Sequence, residues 1–171
     1  MVFAASLGLW AVGTAVAQPA FAIPVTCDGL VVTIQAVAGQ TTYGVPGVND
    51  VINGTPGPDV IHGRDGDDHI CGLGGGDTLT GDSGNDRIWG DSGEDTIYGN
   101  DNDDYIHGGE NDDYIRTGYG TDTVYAESGD DEVHCGDGAS DFADGGNGGE
   151  TVGDALIPVG TDGCEFPVNF P

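Results

Sequence analysis

At 171 residues the chain has room for one domain with short end pieces and none for a separate catalytic domain. Lys and Arg number 3 against 30 Asp and Glu, a formal net charge of -27, which excludes nucleic acid as a partner because phosphate binding needs a basic surface. Cations are the natural counterpart, and without them an acidic chain carrying 33 glycines is expected to be loose, since burial does not offset chain entropy.

Residues 1–22 read as a secretory leader. Residues 3–17 are nearly all small or apolar, too few to span a bilayer, and two small-x-small cleavage patterns follow at Ala15–Ala17 and Ala20–Ala22. No Lys or Arg precedes Arg64, so the given start is expected to lie inside a longer leader. Four cysteines, Cys27, Cys71, Cys135 and Cys164, are an even count at spacings unlike a zinc site and point to two disulfides in an oxidising, extracellular compartment.

Residues 23–44 form an N-terminal cap in which Leu30, Val32 and Ile34 predict one strand. The cap is expected to cover the first edge of the array that follows, which would otherwise recruit other strands. That array fills residues 45–153. From Gly54 to His134 a nine-residue unit returns nine times: GTPGPDVIH, GRDGDDHIC, GLGGGDTLT, GDSGNDRIW, GDSGEDTIY, GNDNDDYIH, GGENDDYIR, TGYGTDTVY and AESGDDEVH. Position six is always Asp (Asp59, Asp68, Asp77, Asp86, Asp95, Asp104, Asp113, Asp122 and Asp131). Position eight is always aliphatic, from Ile61 to Val133. Asp50 and Ile52 fit an imperfect leading unit that begins near Val45. Residues 135–144 carry one extra residue that puts Asp141 a place late, and GGNGGETVG restores the spacing. Residues 154–171, apolar and interrupted by prolines, read as a C-terminal cap.

A Gly-rich turn of six residues leaves about three for a strand, so two units close one flattened coil of 18. Short parallel strands then stack in two sheets about 4.8 Å apart per coil. Position eight points inward, and positions seven and nine point to solvent. One aliphatic per nine residues is a thin core, and the sixth-position carboxylates stack and repel. A hard dication converts that repulsion into ligation. Calcium takes six to eight oxygens in flexible geometry, which carboxylates and bare turn carbonyls supply. Magnesium wants a stricter octahedron, and transition metals would want His or Cys in the turns.

GGENDDYIR, GDSGNDRIW and GRDGDDHIC resemble the RTX, or hemolysin-type, calcium-binding nonapeptide. The resemblance implies an all-β fold, a right-handed parallel β-roll with two nonapeptides per coil and short caps. It implies calcium bound between adjacent coils by the nine aspartates and by the turn carbonyls of Gly63, Gly72, Gly81, Gly90, Gly99 and Gly108, with Asp50 and Asp141 as edge members. Pairing alternate units gives one ladder from Asp59 to Asp131 and another from Asp68 to Asp122, hence about seven interior sites and about seven to nine Ca²⁺ in all. Asn102 and Asn111 at position four tolerate positive φ, whereas Thr117 and Ala126 at position one are expected to weaken their turns. In such a roll Cys71 and Cys135 lie roughly 17 Å apart, too far for a disulfide, so Cys27–Cys71 and Cys135–Cys164 are expected.

GDSG at Gly81–Gly84 and Gly90–Gly93 resembles the nucleophile segment of trypsin-like proteases, but Ser83 and Ser92 merely occupy the third repeat position and no triad accompanies them. His62, His69, His107 and His134 fall on outward positions. Trp89, His107 and Tyr125 recur at 18 residues and predict an outward ladder. Cross-strand pairing accounts for it, and the alternative is a platform for a cell-surface glycan or protein. The resulting expectation is a secreted, non-enzymatic calcium-binding protein that folds on the metal, with an adhesion module on the same scaffold as the second reading.

Overall fold

The computed structural model describes residues 26–136, 141–146, 151–153 and 164–165, the last two segments through their backbone pairing. The expected leader, and the C-terminal cap apart from residues 164–165, lie outside the described residues.

Every element among the described residues is a β-strand. The first five are short: β1 (Thr26–Cys27), β2 (Leu30–Val31), β3 (Ile34–Gln35), β4 (Thr41–Tyr43) and β5 (Val51–Asn53). Then come β6 (Val60–Asp65), β7 (His69–Cys71), β8 (Thr78–Ser83), β9 (Arg87–Ser92), β10 (Thr96–Asp101), β11 (Tyr105–Glu110), β12 (Tyr114–Tyr119) and β13 (Thr123–Ser128). β14 (Glu132–His134), β15 (Asp141–Asp144), β16 (Thr151–Gly153) and β17 (Cys164–Glu165) are the last elements among the described residues. Even-numbered strands from β4 to β16 build one seven-stranded sheet, and odd-numbered strands from β3 to β17 build an eight-stranded one. Consecutive strands therefore alternate between sheets, and each pairs in parallel with the strand two places on. This is the two-sheet solenoid that a nine-residue period demands.

The strands are longer than the spacing suggests. In the middle of the roll each has 6 residues, because pairing runs through positions seven to nine and resumes at positions two and three of the next unit, as in Tyr98↔Arg116 and Asn100↔Gly118. The expected six-residue turn is thus a bent extension of the strand followed by a three-residue turn. The bend lies at position two, where Arg64, Leu73, Asp82, Asp91, Asn100 and Glu127 have φ between 71° and 81°. A side chain there is strained, so the twist needed to swing the chain toward the other sheet is bought locally. Asn102 and Asn111 do adopt positive φ, 81° and 82°, as their residue type allows.

Alternation along each strand sends position eight inward. Ile61, Leu79, Ile97 and Ile115 from one sheet meet Ile70, Ile88, Ile106 and Val124 from the other, all fully buried. The register shifts by one residue at both ends: Thr41 pairs with Val60 and Thr123 with Phe142, each 19 residues apart instead of 18. The backbone register sets Val152 opposite Val133.

The single strand expected over residues 30–34 is divided. Leu30–Val31 folds back on Thr26–Cys27 as an antiparallel hairpin, while Ile34–Gln35 already forms a rung of the roll. β1 lies against β5 and β7, on the outside of the eight-stranded sheet. A Cys27–Cys71 disulfide fixes it there, with Cα atoms 5.7 Å apart. The expected Cys135–Cys164 link involves a side chain outside the described residues.

Candidate metal centre

The aspartates at position six begin the arm that enters each strand, and their side chains turn inward at the rim of the core. Asp59, Asp68, Asp77, Asp86, Asp95, Asp104, Asp113, Asp122 and Asp131 are all buried, and so are Asp50 and Asp141. They stack in two ladders. In one, the backbone N–H of Asp50, Asp68, Asp86, Asp104 and Asp122 donates to Oδ1 of the aspartate one coil further on, ending at Asp141, with distances of 2.7 to 2.9 Å. In the other, Asp59, Asp77, Asp95 and Asp113 donate in the same way, ending at Asp131. The slipped residue before Asp141 therefore does not remove it from the stack.

This arrangement uses one carboxylate oxygen of each interior aspartate and leaves the other. Oδ2 of Asp68, Asp77, Asp86, Asp95, Asp104, Asp113 and Asp122 is buried without a hydrogen-bond donor. A buried carboxylate oxygen with no partner costs on the order of 1–3 kcal/mol or more, so seven in register form a row of acceptors suited to a positive ligand.

The glycines at position one make room around those oxygens. A Cβ added to Gly90 would lie 2.4 Å from Asp95 Oδ2 and 2.4 Å from the carbonyl oxygen of Gly108. Gly63, Gly72 and Gly81 are alike: in each, the Oδ2 of the unit's own aspartate and the carbonyl oxygen of the glycine one coil on face the space a Cβ would fill. At Gly99 and Gly108 the facing carbonyls come from Thr117 and Ala126. The donor set is thus a carboxylate oxygen and backbone carbonyls, all hard oxygen. That fits Ca²⁺, which tolerates irregular oxygen coordination. Among the described residues no three His, Cys, Asp or Glu side chains cluster tightly enough to hold a metal by themselves, so carbonyls are required partners.

The electrostatics agree. Burial pushes the Asp68 carboxyl up to about 6 and those of Asp77, Asp86 and Asp113 up to about 7, with the N–H hydrogen bond opposing and neighbouring carboxylates adding to the rise. Asp104 is pushed up to about 8 for the same reasons. Asp95, Asp122 and Asp141 are also raised, again chiefly by burial. Sequence reasoning put repulsion between stacked carboxylates first. Desolvation is the larger cause, because the N–H ladder holds each carboxylate inside the roll.

Two features escaped sequence reasoning. An outer ladder runs along position five, where Asn49, Asp67, Asn85 and Asp103 side chains accept the backbone N–H of Asp67, Asn85, Asp103 and Thr121. The alternation of Asn and Asp every 18 residues was its signal. The second is that Asp59 Oδ2 is not bare: the Thr55 N–H and hydroxyl both donate to it, at 2.6 and 3.0 Å.

On the outer face, Trp89, His107 and Tyr125 do stack, with ring centroids 6.0 and 5.0 Å apart and planes inclined by 12° and 21°. His69 extends the row beyond Trp89, and Tyr105 and Phe142 close on Tyr125. Ser92 Oγ donates to the Leu73 carbonyl, and His107 and His134 each bond a glutamate, Glu127 and Glu132. No helix among the described residues is long and apolar enough to cross a membrane.

No curated protein and no solved structure matches the chain. A family model does: the RTX calcium-binding nonapeptide repeat (4 copies) matches residues 47–79, 72–106, 80–115, 98–133 and 107–142. Those segments together span more than half of the chain and coincide with the coils that carry the buried aspartates, whose repeats bind calcium in a β-roll; the chain belongs to the RTX calcium-binding nonapeptide repeat family.

Proposed function

We propose that this is a secreted, non-enzymatic calcium-binding roll whose folding is coupled to the metal. The observation that carries the reading is the register of bare Oδ2 atoms on Asp68, Asp77, Asp86, Asp95, Asp104, Asp113 and Asp122. The ligands are the position-six carboxylates together with the carbonyls of Gly63, Gly72, Gly81, Gly90, Gly99 and Gly108. Bound calcium supplies the positive charge that lets these carboxylates stay ionised while buried. About seven ions would take up roughly half of the formal net charge of -27 and leave an acidic, soluble particle.

Export is supported by the composition of the leader and by the Cys27–Cys71 disulfide, which persists in an oxidising compartment. The non-enzymatic reading is supported by the position of each candidate. The GDSG serines sit in strands, Ser92 with its hydroxyl engaged by a backbone carbonyl, and the outward histidines lie beside carboxylates or aromatic rings. Adhesion through the aromatic ladder has less behind it. The rings stack on one another along the sheet, which commits much of their faces to neighbours and away from a sugar or a partner side chain.

Circular dichroism during a calcium titration tests the coupling. The β signal is expected to be weak in excess EDTA and to rise with calcium. An equal signal in both conditions rejects coupled folding, and absence of bound calcium by isothermal titration rejects the metal reading itself.

A further inference from the structure

The turns of the roll are of two kinds. In the interior turns the residue at position two has positive φ, and the aspartate Oδ2 of that turn is left bare, as in the turns of Arg64 with Asp68, Leu73 with Asp77, Asp82 with Asp86 and Asp91 with Asp95. Val45 and Thr55, at the corresponding places of the first two turns, do not share that conformation. Their backbone N–H groups instead donate to Oδ2 of Asp50 and Asp59, both at 2.6 Å. Thr55 adds its hydroxyl to Asp59, and Thr33 gives its hydroxyl to Oδ1 of Asp50 at 3.2 Å.

The far end of the Asp50 ladder is closed by a different route. Thr117 stands at position one, where the seven preceding units have glycine. Its side chain is fully buried, so its Cβ occupies the space that stays open at Gly63 through Gly108. Its hydroxyl lies 3.4 Å from Oδ2 of Asp141 and accepts the N–H of Gly136 at 3.2 Å. Oδ1 of Asp141 takes the N–H of Asp122. Each oxygen of the last aspartate thus faces a donor from the chain, just as each oxygen of the first one does.

We propose that the Asp50–Asp141 ladder is sealed at both ends, and Oδ2 of Asp59 at the start of the other ladder, by the chain's own donors, with the Val45 and Thr55 N–H groups and the Thr33, Thr55 and Thr117 hydroxyls standing where the interior turns need a cation. The inference rests on the calcium reading and sharpens it. Metal demand is confined to the glycine turns of Asp68, Asp77, Asp86, Asp95, Asp104 and Asp113, while Asp50 and Asp141 terminate one ladder and Thr55 covers Oδ2 of Asp59 at the start of the other. Such ends have a physical purpose. About one coil before Asp50 the chain has Thr33 where an interior turn has another aspartate, so the oxygens of two such turns cannot gather around an ion there, and a bare buried carboxylate would stay unpaired.

The experiment compares wild type with Thr117→Gly, Thr117→Val and Thr117→Ser on the full chain, by native mass spectrometry of the calcium-saturated protein and by thermal unfolding in saturating calcium. Thr117→Gly reopens the turn and is expected to bind more calcium than wild type. Thr117→Val keeps the shape and loses the donor, so the count stays as in wild type while the unfolding equilibrium constant rises about tenfold. Thr117→Ser retains the hydroxyl and should track wild type in count and lie closer to it than Thr117→Val in stability. An unchanged count for Thr117→Gly together with wild-type unfolding for Thr117→Val overturns the proposal. A wild type that binds no calcium overturns the calcium reading beneath it, so the two failures are distinguishable. A Thr117→Gly chain that does not fold leaves the Val and Ser pair to decide, since a Val variant as stable as the Ser variant is itself sufficient refutation.

Discussion

Gly90, within the bent strand β9, and Gly57, in the turn before β6, are both glycines of the repeat, and the structure assigns them opposite sensitivity to a single methyl group. A Cβ on Gly90 would meet Asp95 Oδ2 and the Gly108 carbonyl oxygen at 2.4 Å each, about 1 Å inside ordinary contact, and the carbonyl belongs to backbone that cannot rotate away. A Cβ on Gly57 has nothing within 4 Å. Overpacking of the first kind costs roughly 1–3 kcal/mol. With about 2–4 °C lost per kcal/mol in a chain of this size, Gly90→Ala should melt roughly 2–12 °C below wild type in calcium. Gly57→Ala should stay within about 0.5 kcal/mol of wild type, a shift too small to separate reliably. Thermal scans by circular dichroism in calcium, with bound metal counted in parallel, measure both effects, and Gly90→Ala should also lose calcium. Equal melting of the two variants would refute the idea that the glycine cradle is tightly packed. Reduced stability with undiminished calcium would show the cradle to be steric only.

Acid should partly replace calcium in the metal-free chain. The Asp68, Asp77, Asp86, Asp104 and Asp113 carboxyls are raised from 3.8 to between about 6 and about 8 in the folded state. The folded roll therefore binds more protons than the unfolded chain, and this stabilisation, complete below about pH 4, is lost as pH rises through about 6 to 8. In EDTA the β signal should be stronger at pH 5 than at pH 8, and calcium affinity should change in the opposite direction because protons compete for the same oxygens; a pH-independent metal-free signal counts against burial as the cause. Ile97, fully buried between Leu79 and Ile115 in its sheet, should cost about 2–5 kcal/mol as Ile97→Ala and about 0.5–1.5 as Ile97→Val in denaturant unfolding with calcium present, and equal effects for both would contradict a close-packed core. The Cys27–Cys71 bridge closes 44 residues, so a Cys27→Ser/Cys71→Ser variant should lose up to about 4 kcal/mol by the chain-entropy estimate, and an unchanged melting temperature would mean that the hairpin is held by packing alone.

Much of this molecule is legible in its sequence because a repeat states each rule many times. A single Asp at one position would be ambiguous, but Asp68, Asp86 and Asp104 at intervals of 18 residues, with Ile70, Ile88 and Ile106 two places on, fix the coil length, the inward face and the stacking partners together. What stayed hidden depends on backbone conformation. Leu73 and Arg64 give no sign of positive φ, because their side chains are poor choices for it and only the neighbouring coils impose it. The six-residue strands were missed for the same reason, since Gly-x-x reads as turn until the parallel neighbour is seen to pair with it. Thr117 was visible as a departure from the pattern, but a departure does not say whether it weakens a turn or completes one, and Thr55 falls at a position with no fixed residue. Their hydrogen bonds to Asp59 and toward Asp141 supply that sign.

The alternation of strands between two sheets also sets how such a chain can change length. Removing residues 72–89, one full coil, joins Cys71 to Gly90 and leaves every later strand in its own sheet, every aspartate in its own ladder and the disulfide untouched. Removing nine residues would exchange the two sides for everything downstream: the row that continues from His69 would lose His107 and Tyr125 to the opposite face, and the terminators at Asp50 and Asp141 would no longer close the same stack. The roll can therefore be shortened or extended in steps of 18 and resists steps of nine, so the coil, rather than the nonapeptide written in its sequence, is the quantum of length.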